Sequence, residues 1–127
     1  MADTSSPTPD LQTAATIIET ARAMVGKAVR NLAANGGPDA QQVLAYDLAH
    51  AAAAVETARS MLDYGAKGDT EARLTCAFTA DMVHDLVSRL IGRESIWGVN
   101  PADLAFGHDF VTAFRAPEFL ASLASEQ

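Results

Sequence analysis

Residues 38–64 read PDAQQVLAYDLAHAAAAVETARSMLDY, and this stretch decides the fold. Pro38 suits the first turn of a helix, Gly65 suits its end, and no residue between them breaks a helix. At about 1.5 Å per residue, such a helix is roughly 40 Å long and spans a small domain. It is apolar on more than one side, so we expect neighbours on more than one side. One apolar row comprises Leu44, Leu48, Ala52, Val55 and Leu62, and the other comprises Val43, Tyr46, Ala53 and Met61.

A second long helix precedes this stretch. Thr8 is its predicted N-cap, with Pro9 at the first helical position and Asp10 in the first turn. Apolar residues then recur every three or four positions over residues 11–32. We therefore expect one face of this helix to pack on the central helix.

The connections between helices are short and rich in glycine. Asn35-Gly36-Gly37 forms a turn that makes the first two long helices antiparallel neighbours. Gly65–Gly68 is the next connection, and Asp69 is the predicted N-cap of a third helix over Thr70–Ile91. Gly26, inside the first helix, marks either a close helix crossing or a tolerated glycine.

The remaining chain predicts a broken fourth segment. A loop over Gly92–Val99 carries Trp97, Asn100 caps a shorter helix that runs through Phe114, and Pro117 opens a last short helix. The expected fold class is therefore all-α, an up-down antiparallel helical bundle of three long helices plus this broken segment. We expect residues 9–127 to form a single helical-bundle domain after a disordered tail at 1–8.

Composition agrees with that fold and narrows the function. The chain has 127 residues, of which 49% are apolar and 6% aromatic, and its abundant alanine favours helices. Sixteen acidic residues against nine basic ones give a net charge of −7, so we expect no nucleic acid partner. The lone Cys76 fits a reducing, cytoplasmic location. We expect no membrane span, because no window approaches eighteen consecutive apolar residues.

Motifs of common enzyme classes are missing. The sequence has no G-x-G-x-x-G, no G-x-x-x-x-G-K-[ST], no H-E-x-x-H and no G-x-S-x-G. His50 lies on the central helix, where a hydrogen-bonded core or boundary histidine is favoured over a ligand or catalytic role. Asp47, nearly one turn earlier, is placed to orient its ring. We assign no catalytic residue.

Polar residues on the third helix allow two interpretations. Asp81, His84 and Asp85 share one face at a spacing that suits a divalent cation only if another helix adds carboxylates. Asp85 and Arg89, four residues apart, better fit a solvated ion pair. We expect no metal site. Cys76 has no basic neighbour within a turn to activate it, so we expect a buried small apolar residue.

Three residues are the candidates for a partner or ligand surface. Glu56 and Arg59 form a charged pair on an otherwise apolar helix, which indicates either a subunit interface or ligand pocket, or an exposed edge of the bundle. Trp97 is the only tryptophan and is the predicted anchor of its loop. We expect these three residues to face an interface or a ligand.

Two helices of the chain resemble a known family. The segments Gln41–Ala49, Val55–Arg59 and Ala77–Val83 resemble the two central helices of the C-terminal helical domain of acyl-CoA dehydrogenases. Similar segments form the extra N-terminal helical region of some longer members, including those acting on methylsuccinyl-CoA. The resemblance covers roughly Gln41–Gly98. It implies a flavoenzyme context, in which FAD accepts a hydride from an acyl thioester and a carboxylate acts as base.

The chain departs from this family where the chemistry lies. A complete member has two further domains, and the flavin-contacting Arg-x-x-Phe-Gly turn has no counterpart here. The Gly-Gly-x-Gly loop is reduced to Gly92–Gly98, and the Tyr-Glu-Gly-Thr segment is replaced around Phe114–Glu118. The resemblance therefore implies an FAD site only with the missing domains or with a partner chain.

Two functions remain open at this point. In the first, the chain is an acyl-CoA dehydrogenase-like helical domain or subunit, catalytically incomplete alone, which packs as a homo-oligomer or against such a partner chain and contributes part of an FAD/acyl-CoA site. In the second, it is a free-standing bundle that acts as an interaction module or binds a small apolar ligand, with Ala51–Ala54 and Trp97 lining the site.

Overall fold

The computed structural model describes residues 7–125, and every regular element within them is helical. Seven α-helices and one 3-10 helix occur in this range. Their bounds are Leu11–Ala34 (α1), Gly37–Ala40 (α2), Gln42–Gly65 (α3), Asp69–Leu90 (α4), Glu94–Trp97 (α5), Pro101–Ala105 (the 3-10 helix), His108–Phe114 (α6) and Pro117–Ser125 (α7). Within the described part of the chain, none of them is long and apolar enough to cross a membrane.

The predicted all-α bundle is confirmed. The helix α3 packs on both α1 and α4, and α1 also packs on α4. The contacts Arg22–Glu56 and Glu19–Arg59 run in opposite order along α1 and α3, as an antiparallel pair requires. The broken fourth segment contributes α5, which packs on α1, and α6 and α7, which pack on α4.

The core is built from small aliphatic residues and one group of aromatic side chains. Alanines on the three long helices let the backbones approach closely, while the fourth segment supplies the bulk that fills the remaining space. Each large apolar side chain buried there contributes about 1.5–3 kcal/mol. Buried residues include Ala14, Ile18, Ala21 and Val25 of α1, Leu44, Leu48, Ala51, Val55 and Ala58 of α3, Ala80, Val83, Leu86 and Leu90 of α4, and Trp97, Phe110, Phe114 and Phe119.

The first helix begins later than predicted. Asp10, and not Thr8, is the N-cap of α1, because its carboxylate accepts hydrogen bonds from the backbone N–H of Thr13 at 2.9 Å and from the Thr13 hydroxyl at 2.6 Å. The bond from the Thr13 side chain, followed by the one from its backbone, lowers the pKa of Asp10. Residues 1–6 of the predicted disordered tail lie outside the described residues.

The central helix also begins later than predicted. Pro38 starts the single turn α2, and the backbone leaves helical geometry at Gln41, with φ −127° and ψ 60°. The long helix α3 then begins at Gln42. No residue of α2 is buried, so no apolar stripe holds this turn in line with α3.

Much of the second apolar row of α3 is exposed within residues 7–125. Val43 and Tyr46 are 60% and 63% exposed, and Ala53 is exposed as well. The predicted neighbours on more than one side of α3 are confirmed, because α1 and α4 both pack on it. Within the described residues, however, they leave this second row largely exposed. Only the row that contains Leu44, Leu48 and Val55 enters the core.

The fourth segment is more interrupted than predicted. The loop after α4 contains the short helix α5, and the expected helix from Pro101 to Phe114 is divided into a 3-10 helix and α6. Asn100 and Asp103 form a capping box at the start of the 3-10 helix. Gly107 divides the two helices with φ +71°, a conformation that favours glycine, and packs close to Ile17 and Val83.

The close helix approach lies at Gly65 and not at Gly26. A Cβ added at Gly65 would be 2.7 Å from Thr75 Oγ1 and 3.1 Å from Leu11 Cδ2. At Gly26 the nearest such atom is Arg30 Nη1, at 3.5 Å, the end of a flexible side chain. Gly26 is therefore a tolerated glycine, and the end of α3 is where small size matters.

We expect Gly65→Ala to lower the free energy of unfolding by about 1–3 kcal/mol, because the added methyl displaces Thr75 and Leu11 in a packed site. Gly26→Ala is the matched control and should raise it by about 0.5–1 kcal/mol through helix propensity. Urea unfolding followed by circular dichroism measures both. Equal effects of the two substitutions would contradict the close approach at Gly65.

Candidate functional site

Glu56 and Arg59 belong to a four-residue charge network between α1 and α3. Glu56 accepts from Arg22 at 3.0 Å and lies 3.5 Å from Arg59, which is 3.7 Å from Glu19. All four side chains are about half exposed, and exposed pairs contribute about 0.2–1 kcal/mol each. The network pairs the charges of Glu56 and Arg59 within the bundle, and their role toward a partner stays a prediction.

Trp97 is buried completely in the core. It ends α5, which is tied to α1 by a hydrogen bond of 2.7 Å from Asn31 Nδ2 to the carbonyl oxygen of Ile96. This burial makes Trp97 the anchor of its segment and leaves none of its surface for a partner or a ligand. Ala51 is buried as well, so these two residues do not form the open ligand site that the sequence suggested.

The most distinctive polar feature is a buried carboxylate, Asp47, which is only 4% exposed. Arg89 Nη1 donates to its Oδ1 at 3.2 Å, and Arg93 Nη1 donates to its Oδ2. Arg89 also donates to Asp85 at 3.1 Å, and hydrogen bonding to Asp85, more than to Asp47, raises the pKa of Arg89. We call Asp47, Arg89 and Arg93 the charge clamp. It joins the beginning of α3 to the end of α4 and to the turn that follows.

Sequence reasoning missed the charge clamp. Its signal is the position of Asp47, which lies three residues after Leu44 and four before Ala51, in register with the row that is buried. A carboxylate buried in this row needs a cationic partner. The sequence does not show which residues supply it, because the two arginines come close to Asp47 only in the folded chain. The expected contact of Asp47 with His50 is not formed, and the His50 ring lies against Tyr46 with 4.5 Å between ring centroids.

The polar face of α4 is occupied by arginines. Asp81 accepts from Arg115 at 2.8 Å, and Asp85 pairs with Arg89 as the sequence predicted. Within residues 7–125, no three His, Cys, Asp or Glu side chains are grouped as metal ligands. The carboxylates that a cation would need are therefore engaged by arginine guanidinium groups.

Cys76 is buried in the core, as expected for a small apolar residue. Its sulfur accepts a hydrogen bond of 3.4 Å from the backbone N–H of Asp10. Burial raises the pKa of the Cys76 thiol, so the side chain is a protonated thiol at neutral pH. It is therefore a poor nucleophile and acts as packing between α4 and the start of α1.

A surface of exposed and half-buried side chains, most of them apolar, runs along α3 and continues onto α4. We call it the outer face, and it comprises Val43, Tyr46, His50, Ala53, Met61, Tyr64, Leu74, Ala77 and Phe78. The spacing of Tyr46, His50, Ala53 and Met61 places them in one row along the helix. Where α3 ends, Met61 and Tyr64 line a groove of about 480 Å³ with four residues of α4. These are Leu74, Ala77, Phe78 and, as its one charged residue, Asp81. This is an apolar strip along one side of the bundle.

Comparisons with protein-family models, with curated proteins and with solved structures found no match for the chain. The surfaces that the described residues form are therefore the basis for assigning a function. Of these, the outer face has the apolar character of a contact surface, whereas the charge clamp and the network around Glu56 hold helices of the same chain together.

We expect Asp47→Asn to lower the free energy of unfolding by about 1–3 kcal/mol, because it removes a charged acceptor from two arginines in a buried site. Asp85→Asn is the matched control, since it removes an exposed charged acceptor from the same Arg89. It should lower the free energy of unfolding by only about 0.3–0.5 kcal/mol. Chemical denaturation measures both variants. An Asp47→Asn variant no less stable than Asp85→Asn would show that the clamp adds nothing to stability.

Proposed function

We propose that this chain is an assembly module, which acts by packing its outer face against a second helical surface. The simplest second surface is another copy of the chain. The observation that carries the proposal is the 60–63% exposure of Val43 and Tyr46 on α3, the helix that contributes most to helix packing. Large apolar side chains exposed on one face of a helix are typical of an interaction site.

The chemistry of the outer face also suits an interface. Tyrosine and methionine are enriched in protein contacts, because they combine apolar area with a polar or polarisable group. Tyr46 and Tyr64 supply two such side chains, with Phe78 in the groove between α3 and α4. The small Ala53 and Ala77 between them allow another helix to approach closely.

The resemblance to acyl-CoA dehydrogenases supplies a second, more specific form of the proposal. The resembling segments include Val43, Tyr46, Ala77 and Phe78, which are also residues of the outer face. In this form the partner is an acyl-CoA dehydrogenase-like chain that supplies the β-domain and most of the FAD site. The chain contributes helical packing there and no catalytic residue. A cytoplasmic location belongs to this proposal and agrees with the buried free thiol of Cys76.

We expect the chain to self-associate and Tyr46→Lys to weaken that association at least about tenfold, which corresponds to about 1.4 kcal/mol. The reason is that the substitution introduces a charge in the apolar row of α3, where docking would desolvate it. Sedimentation or light scattering across a concentration series measures the dissociation constant. Circular dichroism should be unchanged, because Tyr46 is largely exposed.

Val29→Lys is the matched control, since Val29 is an exposed apolar residue of α1 outside the outer face. It should leave association intact. Two results would count against docking of a second copy: a wild-type chain that stays monomeric at high concentration, or equal effects of the two substitutions. If the chain is monomeric, the next test is whether it binds an acyl-CoA dehydrogenase-like partner chain.

The flavoenzyme form predicts that the chain retains FAD as part of a multimer. Flavin absorbance and light-scattering mass, measured after mixing with FAD and a short acyl-CoA and then removing free ligand, test it. Retained flavin in a multimeric species would support this form. A colourless chain whose mass ignores both ligands would show that it has no cofactor surface of its own.

A further inference from the structure

A cleft of about 460 Å³ lies between α1 and the segment that contains the 3-10 helix. Ala23, Met24 and Lys27 line it from α1, and Val99, Asp103 and Phe106 line it from the other side. Its lining comes from α1 and residues 99–106, so it is a different surface from the outer face of α3 and α4. Its volume is in the range of small-molecule sites.

The floor of this cleft is apolar and fixed. Met24 and Val99 are each 8% exposed and belong to the core, and Phe106 packs against that core at the side. Such a floor offers dispersion contacts to an apolar body without any rearrangement of the bundle. A small molecule that fills the cleft would displace water and contact the side chains of Met24, Val99 and Phe106.

Lys27 is the cation that lines the cleft. Its ammonium group forms no salt bridge and no hydrogen bond with another residue of the described range 7–125. Its side chain crosses Gly98, where Cε lies 3.8 Å from the position that a Cβ would take. Lys27 is exposed and lines the cleft, so its ammonium group is accessible to an anion there.

Asp103 is the acid in the same cleft, but it already has a structural role. Its Oδ2 accepts a hydrogen bond of 3.2 Å from the backbone N–H of Asn100 within the capping box. Asp103 and Lys27 do not form a salt bridge with each other. Both groups keep their charge, because the hydrogen-bond donor to Asp103 is an uncharged backbone N–H. Of the two, the Lys27 ammonium is the one without a hydrogen-bond partner within residues 7–125, so it is the group left to pair with a ligand.

We propose that this cleft binds a small organic carboxylate with an apolar body. The body packs on Met24, Val99 and Phe106, and the carboxylate pairs with Lys27. Asp103 weakens this binding through like-charge repulsion and thereby limits the affinity. Because the cleft does not include the outer face, the site is independent of the proposed assembly function.

Phenylbutyrate is a suitable probe, with phenylbutanol and phenylbutylamine as neutral and cationic analogues of the same body. We expect titration of the ¹⁵N-labelled full chain to show saturable shifts for amides around Lys27, Val99 and Phe106. Phenylbutyrate should bind more tightly than either analogue. The backbone signals of α3 and the outer face should stay unchanged.

Three variants make the test specific. Lys27→Gln should weaken phenylbutyrate binding by about two- to fivefold, the range that a partly exposed ion pair supplies. Asp103→Asn keeps a cap acceptor, removes the opposing charge and should tighten binding. Lys67→Gln is the matched control, because Lys67 is the other lysine of the chain, lies in the connection between α3 and α4, and should have no effect.

Several results would overturn the proposal: no saturable binding of phenylbutyrate, shifts confined to the outer face, tighter binding of phenylbutylamine, or equal effects of Lys27→Gln and Lys67→Gln. Each is distinguishable from a failure of the assembly function, which is measured by mass and by Tyr46→Lys. A loss of binding in Asp103→Asn would show that the acid attracts the ligand, and the assignment of a carboxylate would be wrong.

Discussion

The close packing of α3 between α1 and α4 is the constraint on which the rest of this bundle depends. Small residues make it possible, because Ala51, Ala58 and Gly65 are all buried on α3 and let the neighbouring backbones approach. The row that contains Leu44, Leu48 and Val55 then fills the space between the three helices. Once this row is inside, the rotation of α3 about its axis is settled. Each remaining residue of the helix is thereby assigned to a neighbouring helix or to solvent.

That rotation explains both the charges and the free surfaces. It brings Asp47 to the core side, where Arg89 and Arg93 compensate the cost of burying a carboxylate. It brings Glu56 to the edge shared with α1, where Arg22 reaches it. It also turns Val43 and Tyr46 away from the core. The apolar outer face is therefore a consequence of the same packing. Covering it with a partner would lower the free energy by removing apolar surface from water.

The chain has two surfaces with different chemistry on different sides of the bundle. The outer face is largely apolar and extends from α3 onto α4, which suits another helix. The cleft beside α1 has an apolar lining and carries the Lys27 ammonium group, which has no partner within residues 7–125; this combination suits a small anion. Polar groups elsewhere, including the arginines that engage Asp81 and Asp85, hold the helices in place.

By itself, the sequence determined the helical class, the number of long helices and where each of them stops. Their starts differ from the prediction: α1 and α3 begin later, and Asp69 is the first residue of α4, whose N-cap is Gly68. Gly65, Gly68 and Asn100-Pro101 are local signals, and apolar periodicity carries the rest. It also indicated that Cys76 is buried and that Asp85 pairs with Arg89, because helix spacing alone relates those two residues. Local chemistry was not sufficient at Gln41 and Gly107, where a helix breaks because its residues do not share one packed face.

Only the tertiary structure decided which of the two apolar rows of α3 is covered. Both rows are apolar enough to be buried, and the choice depends on where α1 and α4 lie. The same is true of Asp47, whose partners are 42 and 46 residues away in the chain. The cleft beside Lys27 likewise combines residues from α1 with residues that follow Trp97. Contacts between distant segments depend on the relative placement of whole helices, and periodicity within one helix carries no information about that placement.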